Sequence, residues 1–166
     1  MNHDDDIALD VERQGWSRIV VRDAKPPFVY SVGLMYTANH PELILFGLSD
    51  AGPEILAGMA YLIREGKSFA SPDRYDGVLE RGAVATRPVH PSQHPLYLGY
   101  AMAYCRRQGD IGGLKAVQVF WPDKAGLFPF ERGCEDSVYL AQRRLDQPVM
   151  PDELREFKRK YGSHLT

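Results

Sequence analysis

The fold is decided by Phe28-Val29-Tyr30-Ser31-Val32-Gly33-Leu34-Met35 and, after Tyr36-Thr37-Ala38-Asn39-His40-Pro41, by Leu43-Ile44-Leu45-Phe46-Gly47-Leu48. Read as a strand, the first run places Phe28, Tyr30, Val32 and Leu34 on one face and Val29, Ser31, Gly33 and Met35 on the other. The second run is almost wholly apolar, which suits a strand buried on both faces. Upstream, Trp16 to Arg22 reads as another strand around Ile19-Val20-Val21. Lys25-Pro26-Pro27 is the turn between them, because proline donates nothing to a ladder. Strands in succession with no helix between them pair antiparallel, so the class is α+β: a mainly antiparallel sheet with helices packed on it.

Outward from this centre, Asp4 to Gln14 reads as a helix with Ile7 and Val11 on one face, ended by Gly15. After the buried strand, Asp50 or Gly52 caps a helix in which Leu56, Met59, Ala60 and Ile63 recur at helical spacing, and Gly66 stops it. Lys67 to Gly82 is rich in turn residues. Ala83 to Val89 reads as a strand, with Pro88 placing its end at an edge. Pro95 to Arg107 reads as one helix with Tyr97, Tyr100, Ala101 and Tyr104 on its buried stripe. Gly109, Gly112 and Gly113 mark a loop, and Lys115 to Trp121 is the last strand. Asp123 to Met150 is loop-rich. Pro151 then opens a terminal helix over about 151–162, with Leu154, Phe157 and Tyr161 on its apolar face and Gly162 at its close.

The chain has 166 residues, 44% hydrophobic and 25% charged, the size and balance of one globular domain spanning 1–166. No apolar run reaches the roughly 20 residues of a membrane span. The acidic start, Met1 to Asp6, resembles no targeting segment. The two cysteines, Cys105 and Cys134, are too few for a disulfide scaffold, so a reducing cytoplasm is the expected home. A net charge of −2 argues against nucleic acid as a partner. The oligomeric state is not readable.

Residues of chemical interest gather at predicted strand ends. Gly33 inside a strand marks a bulge or a close approach, with the Ser31 hydroxyl on the same face. His40 and Glu42 flank Pro41 and could form an acid/base pair, with His40 as general base and Glu42 as its orienter, or they could be a surface turn. Gln118, Trp121 and Asp123 close the last strand, before an aromatic loop carrying Phe128 and Phe130; Asp123 could equally cap its own turn. These make catalytic candidates of His40, Glu42 and Asp123, and ligand-binding candidates of Tyr30, Ser31, Gly33, Gln118 and Trp121, around one small-molecule pocket. His90 and His94 flank Pro91 and suit a helix entry; no metal site is expected. Cys134, among Glu131, Glu135 and Asp136, sits where a thiol pKa rises.

In these blocks the chain resembles a bacterial family catalogued as domain of unknown function 4262. The resemblance rests on Gly15-Trp16, Tyr30-Ser31-Val32-Gly33-Leu34, His40-Pro41-Glu42, Gln118 to Asp123 with Gly126 and Pro129, and Gln147-Pro148. It runs from about residue 15 to 148 and implies a shared site but no activity. Ser31 and Phe130 depart from it, where Thr and Trp are usual. A fainter outline is similar to the FMN-binding split barrel of flavin reductases, in which Arg22, Thr37, Lys67 and Ser68 would have to hold the phosphate. No cofactor is expected outside that alternative. A protein-interaction module, with an exposed aromatic patch around Phe128 and Phe130, is the rival to a small-molecule pocket.

Overall fold

A computed structural model describes residues 3–110 and 113–161, apart from the side chains of 156–158, 160 and 161. Gly112, Gly162 and the side chains of Phe157 and Tyr161 thus lie outside the described residues. The strands are β1 (Ser17–Val21), β2 (Phe28–Val32), β3 (Glu42–Phe46), β4 (Arg74–Tyr75), β5 (Val84–Pro88) and β6 (Ala116–Phe120). They form one six-stranded sheet in the order β1-β2-β3-β6-β5-β4. β1, β2 and β3 pair antiparallel, as do β6, β5 and β4. The two halves meet in the one parallel pair, β3 with β6. The sheet is open, with β1 and β4 at its edges, not closed into a barrel.

Both faces are covered, which is why β2 and the two strands of the parallel pair, β3 and β6, are buried along their whole length. On one face Val29, Leu43, Leu45, Val117 and Val119 pack against Leu56, Met59, Ala60 and Ile63 of α3 (Ala51–Arg64). On the other, Phe28, Tyr30, Val32, Ile44 and Phe46 pack against Ile7 and Val11 of α1 (His3–Gln14) and against Leu98 and Ala101. Alternate residues of each strand therefore feed alternate cores. Burying Leu56, Met59 and Ile63 contributes about 1.5–3 kcal/mol for each side chain, and this anchors α3.

Two elements depart from the sequence reading. β2 stops at Val32 instead of running to Met35, because Gly33 has φ +109°. The chain turns there into a single helical turn, α2 (Leu34–Thr37), which moves Leu34 from the face of Phe28 to the α3 side. The expected helix from Pro95 is broken at Leu98 (φ −118°, ψ 38°) into α4 (His94–Tyr97) and α5 (Gly99–Arg107). A short 3₁₀ turn, Pro91–Gln93, precedes them, capped by the His90 side chain. The break shifts the buried stripe: Leu98, Ala101 and Cys105 are inside, and Tyr97, Tyr100 and Tyr104 are only partly covered. The loop-rich region holds α6 (Asp136–Leu140), and α7 spans Pro151–Tyr161.

Gly33 is required by its surroundings as well as by its φ. A Cβ there would lie 2.7 and 2.9 Å from the Val11 methyls. Gly33→Ala should cost about 2 kcal/mol or more, from left-handed strain together with overpacking. Gly58→Ala, in the interior of α3 with nothing within 4 Å of the new methyl, should instead gain about 0.5–1 kcal/mol. Urea midpoints of the two variants check both signs.

Candidate functional site

Glu42 is the most heavily coordinated of the candidate residues. It opens β3 with 2% of its surface exposed. The Ser31 hydroxyl donates to Oε1 at 2.8 Å, and the amides of Gly33, Leu34 and Met35 donate to the carboxylate at 2.9, 3.2 and 3.3 Å. Ser31 Oγ in turn accepts from the Leu43 amide at 2.9 Å. The reason is local. The β2–β3 ladder ends at Tyr30↔Ile44, and beyond it the turn at Gly33 carries the next amides away from β3. A serine hydroxyl and a carboxylate supply the missing partners. Burial pushes the Glu42 carboxyl up to about 7, while the hydroxyl and the three amides pull it down.

His40, next to this corner, is held by backbone on both ring nitrogens. Nδ1 lies 2.7 Å from the Pro41 carbonyl, and Nε2 accepts from the Phe69 amide at 2.9 Å. An amide only donates, so Nε2 is unprotonated and the proton sits on Nδ1. Burial lowers the imidazole pKa. Thr86 Oγ1 donates to the carbonyls of Phe69 and Ser71, both at 3.0 Å, so His40 and Thr86 together pin the long segment after α3. His40 and Glu42 are neighbours in sequence, but each is spent on other groups; Glu42 does not orient the imidazole.

A second set runs along β6, from Gln118 beside Ile44 at the middle of β3 to Trp121 at its far end. Buried Gln118 accepts from the Leu145 amide at 2.8 Å and donates to the Arg143 carbonyl. Gln142 accepts from the Trp121 amide at 3.1 Å and donates to the Trp121 carbonyl at 2.9 Å. The Trp121 indole donates to the Phe46 carbonyl at 2.8 Å, and Gln93 donates to the Gln147 carbonyl at 3.0 Å. Gln142 and Gln93 were not singled out from sequence; their buried state is the only signal that separates them from surface glutamines. Asp123 holds its own loop, with Oδ1 accepting from Ala125 and Leu127 and Oδ2 from Glu135, at 2.8–2.9 Å. Those amides lower its pKa.

The eight candidate residues therefore do not share a pocket. Ser31, Gly33, Glu42 and His40 meet at the start of β3. Gln118, Trp121 and Asp123 belong to the β6 side and its following loop, with Trp121 at the far end of β3, roughly 13 Å away at the rise of an extended strand. Tyr30 faces the α5 side, where its hydroxyl accepts from the Tyr100 amide at 3.2 Å. The donors a flavin phosphate would need are dispersed too. Arg22 lies 3.7 Å from Asp50, Thr37 donates to Gly15 and Gly33, Ser68 accepts from Ala70, and the Lys67 ammonium sits over the Phe69 ring.

Phe128 and Phe130 form no open patch: Phe128 is buried and the rings stack at 5.4 Å, with the Arg87 guanidinium 3.7 Å over Phe130. The Cys134 thiol is raised by burial first, then by Asp123 and the flanking acids. Among the described residues no three His, Cys, Asp or Glu side chains could hold a metal ion, and no helix is long and apolar enough to cross a membrane.

Open space lies elsewhere. Among the described residues, a surface cleft of about 500 Å³ runs between the Lys25-Pro26 turn, Gln93 and Tyr97, and the stretch from Tyr139 to Glu153. It contains three of the large apolar side chains left exposed by the fold: Tyr139 (48%), Leu140 (72%) and Met150 (60%). Gln142 and the Gln93–Gln147 bond shape its floor, so these buried clamps position the cleft without facing a ligand.

Three substitutions test the roles of the first corner. At neutral pH Glu42→Gln turns an amide NH₂ onto donors and should cost about 2–4 kcal/mol; Ser31→Ala, which orphans the Leu43 amide, should cost about 1–3 kcal/mol. His40 has a folded-state pKa below its ordinary 6.5, so the unfolded chain takes up the proton first and stability falls as pH drops below 6.5. His40→Gln, which can still accept from Phe69 but does not titrate, should reduce the slope of that limb in urea midpoints taken between about pH 5 and 7.5, leaving the share of His94, which burial also lowers. Both proteins keep Glu42, whose raised value acts in the opposite sense: its contribution is full below 4.5 and is lost as pH rises through about 7.

No curated protein and no solved structure matches the chain. A family model described as Domain of unknown function (DUF4262) matches residues 10–135. That span takes in Gly15-Trp16, the β2–Gly33 corner, His40-Pro41-Glu42 and Gln118 to Asp123, and it ends before Gln142 and Gln147-Pro148. With most of its length inside the match, the chain belongs to the DUF4262 family.

Proposed function

We propose that this chain is a binding protein whose cleft of about 500 Å³ takes a small molecule. The observation that carries the reading is the company around that cleft: exposed Tyr139, Leu140 and Met150 beside the polar groups of Lys25, Tyr97 and Arg143. The volume falls within the range of ligand sites, and apolar walls with a few placed polar groups are their usual composition. The sites first suspected of chemistry support this indirectly. The Glu42 carboxylate and both His40 nitrogens are engaged by backbone and by Ser31, which leaves them to hold the scaffold. The dispersed donors support a protein that takes up no flavin, and a colourless preparation is expected. The free thiols Cys105 and Cys134 support a cytoplasmic home.

A second reading has its own observation. Leu140 and Met150 are more than half exposed at the cleft rim, and apolar side chains so placed also suit a protein partner. Protein carrying ¹³C-methyl methionine separates the two. Fragments at millimolar concentration should shift the Met150 methyl resonance and leave buried Met59 in place. If no fragment moves Met150 in preference to Met59, the cleft is not a small-molecule site.

A further inference from the structure

The charges at this cleft are unevenly matched. Arg144 is held by Asp146 through two contacts of 2.8 Å, and Asp146 also receives Arg87. Lys25 and Arg143, by contrast, have no carboxylate within ion-pair distance among the described residues. Arg143 reaches back to donate to the Lys25 carbonyl at 3.5 Å, which sets the two residues side by side in the lining of the cleft. The Tyr97 hydroxyl lies within the electrostatic reach of Arg143. The acidic residue of the lining, Glu153, accepts from the Met150 amide at 3.2 Å and so closes the first turn of α7. Against Lys25, Arg143, Arg144 and Arg87 stand only Asp146 and Glu153, so cations outnumber carboxylates here, beside the apolar surface of Tyr139, Leu140 and Met150.

We propose that the cleft selects organic acids: a carboxylate held by Arg143 and Lys25, and an apolar or aromatic body laid against Tyr139, Leu140 and Met150. An exposed cation alone would say little, since most are simply solvated. Two of them side by side in a concave apolar surface match a monoanion with a hydrophobic body in both charge and shape. A guanidinium offers a carboxylate two parallel donors, which a lysine does not, so Arg143 is the orienting group and Lys25 the supporting charge. The inference rests on the cleft being a small-molecule site.

The test uses matched pairs of carboxylic acids and their primary amides, such as 3-phenylpropionate and 3-phenylpropionamide, with phenyl, naphthyl and indolyl bodies. Each is titrated against the full-length protein while the Met150 methyl shift is followed. Acids should bind about tenfold more tightly than their amides, the scale of one charge-assisted hydrogen bond. Arg143→Gln should erase most of that preference and Lys25→Gln part of it, each weakening acid binding more than amide binding; both side chains are exposed, so unchanged melting is the control for folding. Equal binding of acids and amides would overturn acid selectivity while leaving the cleft reading intact. A Met150 signal that no acid and no amide moves would overturn both. An acidic, apolar peptide that moves Met150 where the small acids do not would overturn the proposal in favour of a protein partner.

Discussion

Everything at the centre of the sheet depends on one buried carboxylate being fully hydrogen-bonded. Taking an ionised glutamate out of water costs several kcal/mol, and the fold accepts that cost where β2 and β3 part company. The Ser31 hydroxyl and the amides of Gly33, Leu34 and Met35 converge on Glu42, so a break in the ladder that would leave buried amides orphaned becomes a closed network. The turn at Gly33 is what aims those amides, and only a residue without a side chain fits against Val11 at that φ. Sequence, backbone angle and buried charge are thus one constraint. If any of them is lost, α1, β2 and β3 lose their common corner.

The same device recurs along β6 in neutral form. A glutamine side chain carries the donor and acceptor of a peptide group, so Gln118 and Gln142 can stand in for a neighbouring strand. Gln118 fastens the chain at Arg143 and Leu145, and Gln142 fastens Trp121. The chain from Asp123 to Pro148 has little regular structure of its own, and these amides fix its position against β6. His40 and Thr86 do the equivalent for the segment around Phe69 and Ser71. Long irregular connections are uncommon in compact domains unless something holds them. Here buried polar side chains hold them.

This explains what the sequence could and could not reveal. Periodicity located α1, α3 and the strands around Ile19, Tyr30, Leu45 and Val119, because burial on one face or two leaves a pattern that needs no partner to be read. The antiparallel pairing of the first strands followed from the absence of a helix between them. The parallel contact of β3 with β6 did not, since nothing local records which strand of a distant segment returns to the centre. Leu34 was placed on the wrong face because the alternation runs unbroken through a position where the backbone has already left the strand. Gly33 was the visible warning. The break at Leu98 left no comparable mark: neither glycine nor proline occupies it, and the tyrosines on either side suit a continuous stripe.

Which polar residues hold the scaffold was not legible for a related reason. Residue type shows that Ser31, His40, Glu42, Gln118 and Asp123 can make hydrogen bonds, but not whether backbone has already used them. Once those groups are consumed by the scaffold, a ligand can be addressed only by polar atoms that the fold leaves unspent. Such atoms are exposed and look ordinary in sequence, as Lys25 and Arg143 do. The cleft that presents them is walled on one side by Lys25, Pro26, Gln93 and Tyr97, inside the span matched by the family model, and on the other by Tyr139 to Glu153, beyond it. Exposed side chains of this kind can change with little effect on stability, whereas the clamps beneath them cannot. The surface of the cleft is in this sense separable from what makes the chain fold. The bond from Gln93 to the Gln147 carbonyl joins its two walls, and there the shape of the cleft and the stability of the fold are physically coupled.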